Sequence, residues 1–250
     1  MVLFSLPKFY QVILVQILND HIVSFSTNES DSYALEEALQ IKEKNDAEVI
    51  VITLGKESAL QVIKDALAKG ADRGIFINDS GLKSFDVLSI GRMIYKKIKD
   101  ENFDLIFSGL QSDDNGNSQL GLILAELLGT SHASLAMETE LLDNNSIKVK
   151  RELENGWFQW TTLDIPASVT IQSGINTPRY ASLKGIMAMK RKTIDKYSVD
   201  ELSDGIETNI SLDQMYVPEK TKDTQYIDGT SSEISEKLVD IFKNEINVIN

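Results

Sequence analysis

The feature that most constrains this chain is a repeated alternation in its first half, where continuous apolar runs are each followed by an amphipathic stretch. "QVILVQIL" precedes "SYALEEALQIKEK", in which Leu35, Ala38 and Leu39 fall on one helical face. "AEVIVITLG" then runs apolar to Gly55, and "ESALQVIKDALAKG" aligns Leu60, Ile63 and Leu67 before stopping at Gly70. "RGIFIND" reads as a third strand. "SFDVLSIGRMIYKKI" stacks Val87, Ile90, Ile94 and Ile98, with Ser84 placed to cap it. "DLIFSG" is a fourth strand. "QLGLILAELLG" gathers Leu120, Ile123, Leu124, Leu127 and Leu128 and again ends at glycine. Strands without apolar–polar alternation need cover on both faces. The pattern therefore predicts an α/β fold, a mostly parallel sheet flanked by helices. Such sheets bind ligands beyond the carboxyl ends of their strands, which directs attention to the loops after the first, second and fourth strands.

The pattern changes after about residue 135. "SIKVKRELENGWFQWTTLDIP" alternates around Asn155-Gly156, a two-residue β-hairpin signal. "ASVTIQSG" adds a strand. Residues 193–229 are polar and poorly periodic. In "TSSEISEKLVDIFKNEINVI", Thr230 and Glu233 have capping-box spacing, and Ile234, Leu238, Ile241 and Phe242 form a stripe. The expected organisation is an α/β domain over 1–192 and an arm, 193–250, that ends in a helix and lies on another surface.

Composition removes several function classes. The chain has no cysteine, which excludes disulfides, thiolate catalysis, Fe–S clusters and cysteine zinc sites. Only His21 and His132 are histidines, which argues against a His-rich metal site or a Ser–His–Asp triad. The 38 acidic against 25 basic residues give a net charge of −13, which disfavours nucleic acid. No apolar run reaches membrane-spanning length. The apolar N-terminal region is interrupted by Pro7 and Lys8 and lacks a basic start and a cleavage site, so it reads as a strand, and the expected location is cytoplasmic.

Two loops could carry chemistry. In "SGLQSDDNGNSQLG", residues 108–121, Gly109, Gly116 and Gly121 allow close backbone approach, and Asn117 or Ser118 can cap the following helix. Its first N–H groups would then face the loop as an anion site. The loop is neither a Walker loop nor a dinucleotide fingerprint. Asp113 and Asp114 repel phosphate, so they suit ribose hydroxyls or backbone N–H groups. An ordinary strand-to-helix loop is the competing reading. In "TNESDSYALEE", Asn28 and Asp31 could bond an adenine edge or ribose, or simply cap a helix. His132, in an apolar turn, reads as structural. Trp157 and Phe158 point to opposite faces, suiting core or subunit packing more than cofactor stacking. "QSGINTPRYASLKGIMAMKRK" sets Leu183, Ile186 and Met187 beside Lys184, Lys190, Arg191 and Lys192, a basic exception in an acidic chain. It could be a lid on the core or an element for a partner.

Four stretches carry a family resemblance: "YALEEALQIKEK", "ALAKGADRGIFI", "GLQSDDNGNSQLGLILAELLG", and "VKRELENG" running through "IPASVTIQSGINTPRYASLKGIM". On these, with "YVPEKTKDTQYIDGT" near the end, the chain resembles the small (beta) subunit of electron-transfer flavoprotein, from bacteria. The resemblance implies a heterodimer with an alpha subunit that holds most contacts to a redox-active FAD. It implies AMP, or a second FAD, in this subunit. Electrons would come from flavin-dependent dehydrogenases and pass to a quinone oxidoreductase or another acceptor. By matching motif, nucleotide contacts fall on Gln16, Asn28, Glu29, Ser30, Asp31, Leu54, Gln111, Ser112, Asp113, Asp114, Asn115, Gly116, Asn117, Ser118, Gln119, Leu120 and Gly121. The docking loop is 180–192, with Leu183 as the anchor, Ile186 and Met187 as its packed support, and Lys190, Arg191 and Lys192 as a basic rim. The chain departs from the family in reading "QILND" after the first strand, in a short link from there to Asn28, and in Lys184 and Ala188. Two other readings stay open: a stand-alone adenine-nucleotide-binding regulator of stress-protein-like fold, and an adenylating enzyme.

Overall fold

The structure is a computed structural model that describes residues 2–5, 9–14, 26–79, 86–113, 115–143, 145–210, 224–246 and 248. Clustering of its internal contacts separates Met1–Ser211 from Leu212–Asn250.

The first unit is built on strands β1 (Val2–Ser5), β2 (Phe9–Leu14), β3 (Glu48–Gly55), β4 (Arg73–Asn78) and β5 (Leu105–Gly109), followed by β6 (Ser131–Asp143), β7 (Ser146–Glu152), β8 (Phe158–Asp164), β9 (Ala167–Ile171) and β10 (Ile194–Ser198). They form one sheet ordered β10-β4-β3-β1-β2-β5-β9-β6-β7-β8, in which β3 also pairs with β2 and β1 with β5. The pairs β10–β4, β4–β3, β3–β2, β2–β5, β5–β9 and β9–β6 are all parallel. The short β1 is antiparallel to its neighbours, as are the pairs β6–β7 and β7–β8.

Helices α1 (Glu29–Lys44), α2 (Leu60–Lys69), α3 (Val87–Ile98) and α4 (Leu120–Leu128) cover both faces. Alternate residues of β3 explain why both faces need cover. Val49 and Val51 join Leu35, Leu39, Ile63, Leu67, Phe76 and Phe107 in one apolar cluster. Ile50, Ile52 and Leu54 join Ile75, Ile77, Ile90, Ile94 and Leu124 in the other. The predicted parallel α/β sheet is therefore present, and its strands read as continuous apolar runs because each is buried on two sides.

Several local expectations change. Ser84 lies outside the described residues, and the cap of α3 is Asp86, whose carboxylate accepts from the Ser89 N–H at 2.7 Å. The hairpin turns through three residues, Glu154–Gly156, because the Trp157 N–H bonds back to the Glu154 carbonyl and Leu153 N–H to the Trp157 carbonyl. Asn155 and Gly156 both take positive φ there, which is why that pair marked the turn. His132 is not in a turn. It is exposed on β6, opposite Ser168 of β9.

The expectation closed the α/β domain at 192. The sheet continues past that point, since Ile194–Ser198 pairs with β4, and the compact unit runs through Ser211. Arg73 helps hold this edge strand, with Nη1 3.3 Å from Asp195 Oδ2. A short helix α5 (Leu183–Met189) precedes β10, and α6 (Val199–Leu202) follows it behind a Ser198 capping box.

In the second unit, helix α7 (Ser231–Asp240) begins with the expected capping box, in which Thr230 and Glu233 each accept from the other's backbone N–H. It continues as a π-helical turn over Ile241–Glu245. Leu238, Val239, Phe242 and Ile246 are exposed along it.

Candidate functional site

Parallel topology brings the carboxyl end of β5 against the start of α1. The closeness is literal at Gly109, where a Cβ would sit 2.3 Å from Ser30 Oγ and 2.6 Å from the Asp31 N. Only glycine allows that approach. Asp31 Oδ1 then accepts from the Gly109 N–H at 2.8 Å. Ser30 Oγ donates to the Gln111 carbonyl at 2.7 Å.

Asn28 occupies the N-cap position of α1, yet its side chain makes no cap bond to the helix. It reaches across to the loop after β5. Its Nδ2 donates to the Gln111 carbonyl at 2.8 Å, and its Oδ1 accepts from the Asp113 N–H at 2.9 Å. The same amide also donates to Asp31 Oδ2 at 2.9 Å. Asp113 turns back, its Oδ2 3.4 Å from the Glu29 N–H. Both carboxylates thus meet backbone donors, and Asp31 sits in the positive first turn of α1, which offsets its charge.

Asn28, Ser30 and Asp31 therefore act first on the protein itself: they pin residues 109–113 to the α1 terminus. Beyond them lies a cleft lined by Gln111, Ser112, Asn115, Asn117, Ser118 and Gln119, among others. Ser118 takes a positive φ and donates to Gln111 Oε1 at 3.0 Å, so it does not cap α4. Nor does Asn117. The N-cap of α4 is Gln119, without a side-chain cap bond, so the first-turn N–H groups of Leu120 and Gly121 open onto this loop. The glycines divide in purpose. Gly109 and Gly121 admit neighbouring protein atoms, whereas Gly116 serves a left-handed turn with open space around it.

Leu54 ends up in the core with 1% of its surface exposed, so its side chain is turned away from the cleft. Gln16 and Asp114 lie outside the described residues. Among the described residues no group of three or more His, Asp or Glu is arranged to hold a metal ion. None of their helices is long and apolar enough to cross a membrane.

The segment after β9 forms a second feature. Leu183 is 84% exposed and Met187 64%, with Tyr180 and Ile186 also exposed. The expectation that Ile186 and Met187 pack as support for Leu183 does not match this arrangement. Gly185 and Met189 turn inward instead: a Cβ on Gly185 would lie 2.0 Å from the Ala68 carbonyl oxygen, and Met189 packs on the core. Ser182 caps α5 by accepting from the Gly185 N–H at 3.0 Å. Lys190 and Arg191 are exposed as a basic rim, but Lys192 is not part of it. Its ammonium donates to the Leu67 and Ala71 carbonyls at 2.9 and 2.5 Å at the end of α2, and burial there lowers its pKa.

Sequence reasoning missed the other end of this segment. Arg179 reaches Glu36 and Glu43 on α1, and Asn176 Nδ2 donates to Glu37 Oε2 and the Tyr33 carbonyl, each at 3.0 Å. The available signal was the seven-residue spacing of Glu36 and Glu43, two turns apart on one helical face.

The hairpin carries further exposed aromatic surface. Trp157 is 72% exposed, Phe158 47% and Trp160 43%. Phe158 and Trp160 share a face, with Lys150 Nζ 4.8 Å from the Phe158 ring centre and Lys148 Nζ 4.6 Å from that of Trp160. None of the three packs into the core.

Comparison with known proteins bears on this arrangement. The family model described as "Electron transfer flavoprotein domain" matches residues 15–202. The chain is similar to the electron transfer flavoprotein subunit beta of Methylophilus methylotrophus, 35% identical over 90% of this chain and 88% of the relative. It is similar to the Bacillus subtilis subunit beta, 32% identical over 93% and 91% of the two chains. It is also similar to a mitochondrial subunit beta of Arabidopsis thaliana, 36% identical over 91% and 88%.

Proposed function

This chain belongs to the electron transfer flavoprotein family, and on that premise we propose that it is the beta subunit of a heterodimeric electron carrier. It pairs with an alpha subunit that holds most of the FAD, takes electrons from flavin-dependent dehydrogenases and delivers them to a quinone oxidoreductase or a similar acceptor. The subunit makes and breaks no bonds itself. It works in the cytoplasm of a bacterial cell. The observation that carries this reading is the docking helix, which Gly185 brings against the Ala68 carbonyl and the Lys192 ammonium fastens to the end of α2, while Leu183 and Met187 face solvent.

The cleft beside α1 is the site for AMP, or for a second FAD. Its donors suit a nucleotide. The uncapped first turn of α4 offers N–H groups for phosphate oxygens, and Gln111, Ser112, Asn115 and Asn117 offer amides and a hydroxyl for ribose and base. Bound AMP supplies no redox chemistry and serves as structural filling. Asn28, Ser30 and Asp31 support that site from behind by fixing residues 109–113. The exposed stripe of α7 and the aromatic hairpin are surfaces for the alpha subunit. Mass spectrometry of the small molecules released from the purified heterodimer tests the cleft: AMP beside FAD supports it, and release of one FAD with no other nucleotide contradicts it.

A further inference from the structure

We propose that Arg179 is the positioning residue of the docking helix, fixing through Glu36 and Glu43 the pose in which Leu183 and Met187 meet a dehydrogenase. The proposal rests on the docking reading given above.

The segment from β9 to α5 is irregular. Residues Ser173–Ala181 belong to no helix or strand. Side chains fasten it. Arg179 spends its whole fork on α1: Nε donates to Glu36 Oε2 at 2.8 Å, Nη2 to Glu36 Oε1 at 2.9 Å, and Nη1 to Glu43 Oε1. Its backbone N–H adds a bond to Glu36 Oε2 at 3.2 Å. The Glu36 side chain is only 6% exposed, so its carboxylate depends on this partner. Both neighbours hold the guanidinium charge, and its pKa is raised.

Four residues later comes Leu183. Within the helix Gly185 is seated on Ala68, and at the far end the Lys192 ammonium is held at the α2 terminus. The docking helix is therefore fastened on both sides, with its apolar residues exposed between the fasteners. An anchor already held in its bound pose loses less conformational freedom on docking. Arg179 supplies this on the N-terminal side, and lysine cannot replace it, because an ammonium lacks the planar fork that engages both carboxylates.

The experiment uses the full heterodimer and a flavin dehydrogenase that reduces the wild-type complex. Leu183→Ala is run first as the control for docking itself. Arg179→Gln is expected to raise KM for the dehydrogenase about tenfold, by loss of preorganisation, with kcat and flavin content unchanged. Deuterium uptake over 180–189 rises while protection of the sheet is retained. Arg179→Lys recovers only part of the affinity. Glu43→Gln, at a more exposed position, raises KM by about twofold to threefold and serves if Arg179→Gln does not assemble. Wild-type KM and uptake in Arg179→Gln, or in both Arg179→Lys and Glu43→Gln, overturn the proposal while Leu183→Ala still raises KM. Wild-type KM in Leu183→Ala overturns the docking reading and this inference with it. A fall in kcat or flavin content with KM unchanged assigns Arg179 to the fold alone, against the proposal.

Discussion

Arg179 and Glu36, 143 residues apart in sequence, form a two-pronged ion pair, with Nε and Nη2 donating to the two carboxylate oxygens at 2.8 and 2.9 Å. The pair joins the irregular segment before α5 to the helix whose other end pins the loop after β5. One element, α1, thus serves both features of the molecule.

This pair gives stability a defined acid dependence. Burial raises the Glu36 pKa, but hydrogen bonds from Arg179 and Gln40 outweigh it and leave the group below its ordinary 4.5. Arg179 lowers Glu43 in the same way. A carboxyl depressed in the folded state contributes stability above its unfolded pKa and loses it as pH falls through the folded value. Thermal melts of wild type and Arg179→Gln should therefore differ most above about pH 4.5 and converge below it. A gap that stays constant into strong acid contradicts this.

Leu183→Ala should leave the melting behaviour nearly unchanged, within about 0.5 kcal/mol, because the side chain is exposed. Electron transfer from a dehydrogenase should slow while flavin content stays intact. Unchanged stopped-flow kinetics would return the segment to a lid on the core.

Gly109→Ala should do the opposite. Its methyl group would meet Ser30 Oγ at 2.3 Å and the Asp31 N at 2.6 Å, separating α1 from the β5 loop. The expected cost is about 1–3 kcal/mol, with loss of nucleotide from the purified complex. A melting temperature and nucleotide content equal to wild type would show that the cleft does not depend on this contact.

The chain's two tryptophans both lie on the hairpin, one 72% and the other 43% exposed. Fluorotryptophan incorporated only into this chain therefore reports on that surface alone. Binding of the alpha subunit should shift at least one fluorine resonance. Two unmoved resonances would place the hairpin outside the interface.

The sheet was legible because burial on both faces leaves apolar runs such as "VIVITL" with no alternation to misread. Strand β10 was not legible. As an edge strand it has one neighbour, and Asp195 and Lys196 meet Arg73 and Glu57 at the surface, so its sequence looks like a loop. The cap of α3 was misplaced by two residues because Ser84 and Asp86 are both capping types, and only geometry selects Asp86. In the candidate site the loop and the α1 terminus were visible separately. Their joining was not, because Asn28 bonds to residues 83 and 85 positions away. Local periodicity carries no trace of such partners. The same holds for Lys192, which reads as part of a basic run until the carbonyls at the end of α2 claim it.

The central claim is that this chain functions as the beta subunit of a flavoprotein heterodimer. Co-expression with its cognate alpha subunit, followed by size-exclusion chromatography with absorbance across the flavin bands, tests it most directly. The account predicts a single species containing one copy of each chain, with yellow flavin absorbance eluting with it. Separate elution of the two chains, or a joint species without flavin absorbance, would contradict it.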